Sequence, residues 1–205
     1  MVGSGFLLAF AYACGSVPTG VWLSRMRGVD PRDIGSGNIG ATNVTRAAGL
    51  TIGLLTLGGD MLKGLIPVLV ASHAGHREPF LALAGLSAFA GHLFPFVLRF
   101  RGGKGVATAL GVLAGLAPRA MIIVLPVFLL IVALSRYVSV ASLATAALTP
   151  PLLFALGYGW ATVAASLTMS VLMTLRHRDN IRRLRFGTEA RIGRRRSSPF
   201  DPDRA

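Results

Sequence analysis

Cysteine and charge are what this 205-residue sequence has least of. Cys14 is the only cysteine, so no disulfide can close within the chain and a cysteine-rich metal site is excluded. Charged residues make up 14%, against about 25% in a typical soluble domain, while 53% of residues are hydrophobic and the mean hydropathy is +0.62. A chain this apolar cannot be coated by water. Acidic residues are scarce as well, 8 against 21 basic ones, for a formal net charge of +13. That balance raises nucleic acid as a partner, but the basic residues fall in short runs between long apolar stretches and in a dense C-terminal cluster. No His/Asp/Glu set stands at metal-ligand spacing, and His73 and His76 lack a third ligand. The reading is an integral membrane protein that uses neither nucleic acid nor a metal.

A helix needs about 20 predominantly apolar residues to cross the hydrocarbon core. Residues 4–24, 51–71 and 79–98 each fit one crossing. Residues 105–134 carry a single charge, Arg119, beside Pro118, which divides the run. Its first part, 106–117, gives about 18 Å of helix and is either re-entrant or continues through Pro118. Residues 138–175 hold no charge in 38 positions, enough for two helices with a turn near Gly157-Tyr158-Gly159. The count is five or six if the short piece does not span and seven if it does. Seven makes the charges consistent with the positive-inside rule. Arg25, Arg27, Arg32 and Arg46, then Arg99, Arg101 and Lys104, then Arg136 and the C-terminal arginines all fall on one side, leaving only Arg77 and Arg119 opposite. The expected fold is therefore an all-α polytopic membrane bundle of about seven helices, N-terminus outside and C-terminus cytoplasmic. Ala11-Tyr12-Ala13 before Cys14 has the look of a signal cleavage site, but no basic residue precedes the apolar run, so a retained first helix is expected. Residues 1–192 form the membrane domain and 193–205 a basic, flexible tail suited to anionic headgroups.

Three segments on the basic side are more than connections. The first runs from Gly35 through Ser36, Gly37, Asn38, Ile39, Gly40, Ala41, Thr42 and Asn43 to Arg46. Its glycines let the backbone approach an anion, successive N–H groups can form an anion nest, and Arg46 can grip phosphate bidentately. A flexible loop or close helix packing explains the same glycines. The second is Gly102-Gly103-Lys104-Gly105-Val106-Ala107-Thr108. The Walker pattern fails, since it needs Gly at position 98, which is Leu, and Ser or Thr at 105, which is Gly. What survives is a glycine turn entering a helix, whose free N–H groups and dipole favour an anion, with Lys104 beside it. Only Lys63 and Lys104 among the basic residues are lysine, so a compact ammonium is either wanted at these places or there by chance. The third segment is His177-Arg178-Asp179-Asn180, continuing to Glu189. On a continuing helix His177 and Asn180 share a face. His177 suits acid–base work near neutrality or is a plain interfacial residue, and Glu189 fits a structural ion pair with an arginine. Inside the apolar stretches, Asp60 and Lys63 are spaced to neutralise each other, His92 suits packing or a hydrogen bond, and Ser139 and Ser142 can face the basic segments.

These segments, in this order, resemble the bacterial acyl-phosphate:glycerol-3-phosphate acyltransferase family of membrane proteins. The match includes Ser36 to Asn43 with Arg46, Gly102 to Thr108, and His177 through Glu189. Flanking it are Gly15 to Gly20, Asp60 with Lys63-Gly64, and His92 with Phe94-Pro95. It covers nearly the whole chain up to about Ile192. The resemblance implies a seven-helix enzyme of the bacterial inner membrane with its active site on the cytoplasmic face. It implies fatty acyl transfer from acyl phosphate to the sn-1 hydroxyl of glycerol 3-phosphate, giving lysophosphatidic acid and phosphate, with no cofactor and no metal. Acyl phosphate, glycerol 3-phosphate and membrane lipids are the partners, and the chain is expected to be monomeric. The soluble acyltransferases of this step show His-x4-Asp. The residues five beyond His73, His76, His92 and His177 are Glu78, Leu81, Val97 and Arg182, so that class is disfavoured.

The expected site follows. His177, Asn180, Ser36 and Lys104 are the catalytic candidates. Ser36, Asn38, Gly40, Asn43, Arg46, Gly102, Gly103, Lys104 and Gly105 are the phosphate-binding candidates, and Ser142, Thr42, Lys63 and Asp60 are secondary. Asn180 would stabilise the oxyanion, and either His177 or a substrate phosphate takes the hydroxyl proton. A transporter of phosphorylated anions is the alternative, but no repeat relates the halves and the polar groups gather on one face.

Overall fold

The structure is a computed structural model that describes residues 2–193; the expected tail from Arg194 onward lies outside the described residues. In hydrocarbon every backbone N–H and C=O has to be paired within the protein, which a helix does locally, and the described residues form helices and no strand. In chain order they are α1 (Val2–Ser16), α2 (Thr19–Arg25), α3 (Ala41–Ala48), α4 (Leu50–His73), α5 (Glu78–Leu93), a 3-10 turn (Phe96–Leu98), α6 (Val106–Leu116), α7 (Pro118–Ser135), α8 (Val138–Ala155), α9 (Trp160–Arg176) and α10 (Arg178–Arg185). Five segments are long and apolar enough to cross a membrane: Gly3–Arg25, Leu50–His73, Glu78–Leu98, Pro118–Ser135 and Val138–Ala155. α9 has 17 residues and α6 only 11.

Two breaks refine the sequence reading. The first apolar run is not one straight helix, because Pro18 has no N–H and its ring clashes with the preceding turn; α1 stops at Ser16 and α2 restarts at Thr19. Residues 106–117 do not continue through Pro118. The backbone turns at Ala117 (φ −146°, ψ 65°) and Pro118 opens α7, where a missing N–H is harmless. α6 is held by close approach to α4. A Cβ on Gly111 would lie 1.9 Å from the Met61 carbonyl oxygen, and one on Gly64 would lie 2.2 Å from that of Thr108. Small residues of this kind are how membrane helices gain contact where water cannot drive association. The apolar core of Val68, Phe89, Leu93, Val112, Met169 and Met173 ties α4, α5, α6 and α9 together.

Beneath the basic loops sits a buried polar knot. Asp60 and Lys63 pair at 2.8 Å, one turn apart on α4. The Thr19 hydroxyl donates to Asp60 Oδ1 at 2.6 Å, and Lys63 Nζ donates to the Val17 carbonyl at 3.0 Å, beside the α1–α2 break. Removing one partner strands the other charge, at a cost of about 3–5 kcal/mol, whereas removing both is far milder. Lys63→Met is therefore expected to lower the unfolding temperature in detergent much more than Asp60→Asn/Lys63→Met together, a difference thermal scans of the three proteins would read.

Candidate active site

The three unusual segments converge at one end of the bundle. In the first, Asn43 on α3 is the organiser. Its Oδ1 accepts the Ser36 N–H at 3.0 Å, and its Nδ2 lies 2.8, 3.0 and 2.9 Å from the carbonyls of Pro31, Ile34 and Asn38. Asn38 Oδ1 in turn accepts the Gly40 N–H at 3.1 Å, an Asx turn leading into α3. Asn43 is buried and its polar atoms are occupied, while the Ser36 side chain and Arg46 are exposed and Thr42 is half-buried.

The second segment is folded back on the end of α5. Gly102 and Gly103 donate to the carbonyls of Leu93 and His92, both at 3.2 Å. Gly103 lies so close to His92 that a Cβ would sit 2.3 Å from His92 Nε2. The other ring nitrogen of His92 lies 3.9 Å from Asp60 Oδ1. The Asp60–Lys63 knot therefore lies under the glycine turn, with His92 between them. Gly105 takes φ +83° and caps α6, which leaves the first N–H groups of that helix free for an anion.

The third segment starts where α9 ends. His177 Nδ1 donates to the Met173 carbonyl at 2.8 Å, so the neutral ring carries its lone pair on Nε2. Asn180 joins the second and third segments: its Oδ1 accepts from Lys104 Nζ, and its Nδ2 donates to Glu189 Oε1 at 2.6 Å. Arg183 Nε holds Glu189 Oε2 at 2.7 Å, and is the arginine partner of that carboxylate. Glu189 reaches this place because the chain beyond α10 folds onto the α7–α8 turn. There Arg191 Nε donates to the Tyr137 hydroxyl at 2.9 Å and the Ile192 N–H to the Arg136 carbonyl at 2.8 Å. The buried Ser139 hydroxyl faces Glu189 without making a hydrogen bond of good geometry. Ser142 Oγ is turned to the Val138 carbonyl at 2.8 Å.

The charges shape the site's titration. Burial, reinforced by Arg183 and Arg46, lowers Lys104 to about 8, so its ammonium is still charged at neutral pH. Burial, with Lys104 nearby, lowers His177 to about 4, which keeps the ring neutral. Burial alone would raise Glu189, but hydrogen bonds from Asn180 and Arg183 outweigh it and hold the carboxylate below its ordinary range. The result is a cationic cluster, with Arg46 and Arg183 near Lys104 at the glycine turn and a neutral His177 close by. An apolar cleft between α6, α7, α8 and α9 is lined by residues that include Val106, Leu113, Phe128, Thr149 and Met173. Val106 follows Lys104 by two residues and packs against the cluster that includes Met173, whose carbonyl holds His177, so both site segments border the cleft.

Sequence reasoning did not single out Arg176. Its Nη2 and Nε donate to the carbonyls of Gly102 and Gly103 at 2.5 and 3.1 Å, and its guanidinium lies over the Phe94 ring. One side chain thus ties the glycine turn to the helix end that presents His177. Read in sequence, it is one more arginine at a span boundary, with nothing to set it apart. Displacing a site by about 1 Å can lower rates about a hundredfold. Arg176→Ala is accordingly expected to lower kcat/KM by about tenfold to a hundredfold, with Arg176→Lys recovering part of it, as steady-state kinetics on both would show.

The comparisons with known proteins agree with one another. The family model described as "Glycerol-3-phosphate acyltransferase" matches residues 5–187. A glycerol-3-phosphate acyltransferase of Geobacter sulfurreducens is 50% identical over 192 residues, covering 94% of this chain and 99% of the relative. One from Methylorubrum extorquens is 49% identical over 189 residues, covering 92% of each. The crystal structure of PlsY (YgiH), an integral membrane glycerol 3-phosphate acyltransferase, in its glycerol 3-phosphate form, superposes with TM-score 0.90 at 42% identity, covering 93% of this chain and 96% of that one. Its lysophosphatidic acid form gives 0.87 at 41%.

Proposed function

The chain belongs to the glycerol-3-phosphate acyltransferase family, and on that premise we propose that it moves a fatty acyl group from acyl phosphate to the sn-1 hydroxyl of glycerol 3-phosphate. The products are lysophosphatidic acid and inorganic phosphate. The observation that carries this reading is the cationic cluster, Arg46 and Arg183 near Lys104 at a glycine turn, together with an apolar cleft that Val106 helps to line. Phosphate heads need the first and a fatty chain needs the second. The relatives named for glycerol 3-phosphate, and the PlsY forms with glycerol 3-phosphate and lysophosphatidic acid, support the acceptor and the product.

In this mechanism Lys104, Arg46, the Ser36 hydroxyl and the N–H groups at the start of α6 hold phosphate. The second amide hydrogen of Asn180 faces the oxyanion formed when the glycerol oxygen adds to the acyl carbonyl. The bond from that carbon to the phosphate oxygen then breaks, and phosphate leaves with the electron pair. Acyl phosphate is a mixed anhydride with a good leaving group, so no acyl-enzyme is needed. The hydroxyl proton passes to a substrate phosphate oxygen, and His177 Nε2 accepts a hydrogen bond that orients the glycerol. Base strength decides this assignment. Burial holds His177 at about 4, whereas a phosphate monoester gives up its second proton at about 6, so its dianion is the stronger base at neutral pH. A bound dianion raises His177, but that dianion is then the adjacent base. The site lies on the cytoplasmic face of a bacterial inner membrane, the N-terminus is outside, and the protein works as a monomer without cofactor or metal.

The reaction is tested with palmitoyl phosphate, labelled glycerol 3-phosphate and EDTA. Lysophosphatidic acid and inorganic phosphate are expected in equal amounts. Glycerol bisphosphate with free fatty acid would mean attack at phosphorus and would overturn the step. His177→Ala is expected to lower kcat about tenfold to a hundredfold while the acid limb of the pH profile stays near about 6. A fall of about 10⁴ with loss of that limb would instead make His177 the base.

A further inference from the structure

A second cleft, of about 720 Å³, meets the glycine turn at Gly102 and includes neither Lys104 nor Arg46 among its lining residues. Arg32, Asp33, Gly37 and Ile39 form one wall, and Val97, Leu98, Arg99, Arg101 and Gly102 the other. Three guanidiniums face one carboxylate there. Arg32 is committed to Asp30 at 2.6 Å, whereas Arg99 and Arg101 make no ion pair among the described residues. The turn that presents them is strained. Arg99 (φ 52°) and Phe100 (φ 62°) are consecutive non-glycine residues in the left-handed region, an arrangement costing about 1–3 kcal/mol each that persists only where surroundings enforce it. They do so here: the Phe100 N–H bonds the Pro95 carbonyl at 2.9 Å and that of Arg101 bonds Leu98 at 3.1 Å, while the Tyr12 hydroxyl pins the Phe94 carbonyl at 2.7 Å.

Position selects the ligand. The apolar span ends at Leu98, so Arg99 and Arg101 stand at the membrane–water boundary. Phe96, Val97 and Phe100 are exposed around them, as interfacial aromatics are. A soluble phosphate has no use for those apolar side chains, but a lipid does. We propose that this cleft is a binding site for the headgroup phosphate of an anionic phospholipid, gripped by Arg99 and Arg101 with its chains along Val97 and Phe100. The occupant meets Gly102, in the turn that bears Lys104. The assignment does not depend on the identity of the acyl donor.

Native mass spectrometry of the full-length protein, with equimolar phosphatidylglycerol and phosphatidylcholine in detergent, tests it. The native protein is expected to retain one phosphatidylglycerol in preference to phosphatidylcholine. Arg99→Asn, which suits the left-handed backbone, and Arg101→Gln should each reduce that preference about fivefold, the usual weight of one arginine at an anionic surface. Turnover in phosphatidylcholine should be unchanged. Equal retention of both lipids, or a preference that survives both substitutions, would overturn the proposal. So would displacement of the bound lipid by millimolar inorganic phosphate, which would mark a site for free anions. If Arg99→Asn does not fold, Arg101→Gln alone, at an ordinary backbone position, still has to show its fivefold loss.

Discussion

Lys104→Ala is expected to lower kcat/KM at neutral pH by about 10³-fold, the scale on which a preorganised charge at a reacting centre counts. Two losses combine. The ammonium proposed to hold phosphate is gone, and Asn180 Oδ1 loses the donor that fixes its amide. The partial burial that makes the charge effective also lowers Lys104 to about 8. Activity should therefore decline as pH rises through about 8, where the ammonium deprotonates. Lys104→Arg supplies the sharper test, because a guanidinium stays charged above pH 12 or so. That variant should keep some activity, and its alkaline limb should disappear. Full activity in the alanine protein, or an alkaline limb unchanged in the arginine protein, would take Lys104 out of the chemistry.

Gly105→Ala should be nearly as damaging, through geometry and not charge. The position has φ +83°, and an added Cβ would lie 2.3 Å from Phe89 Cε2 and 2.7 Å from Leu93 Cδ1. Both side chains are fully buried and have no room to retreat. The left-handed backbone costs alanine about 1–2 kcal/mol and overpacking adds about 1–3 kcal/mol. Since Gly105 caps α6 and follows Lys104, relief of the clash moves the ammonium and the helix N-terminus together, for an expected loss of about a hundredfold in kcat/KM. Gly28 is the control. It has φ +71° but open space around its Cβ position, so Gly28→Ala should show the small backbone penalty and normal turnover. Equal behaviour of the two variants would refute the packing argument.

The membrane bundle was legible because its determinants are local and coarse: long apolar runs, proline breaks and the placement of arginine. Even so, the kink at Pro18 and the separation of α6 from α7 depended on which proline could begin a helix and which could only interrupt one. Within the candidate site, the glycine turn and Lys104 were readable because glycines flank on both sides one of only two lysines in an arginine-rich chain. Asn43 was readable as a polar residue in an unusual loop, yet sequence could not tell that its amide holds the loop's backbone together. The partners of Arg176, His92 and Ser139 were obscured for one physical reason. Those contacts reach as far as 74 residues along the chain and form only once helices pack: Arg176 on the 102–103 carbonyls, His92 between Asp60 and Gly103, Ser139 against Glu189.

The most direct test of the account offers the purified protein palmitoyl phosphate or palmitoyl-CoA, each with labelled glycerol 3-phosphate and EDTA. The account predicts lysophosphatidic acid from palmitoyl phosphate alone, and its loss in Lys104→Ala. Product from palmitoyl-CoA at a comparable rate, or none from palmitoyl phosphate with folded protein, would contradict it.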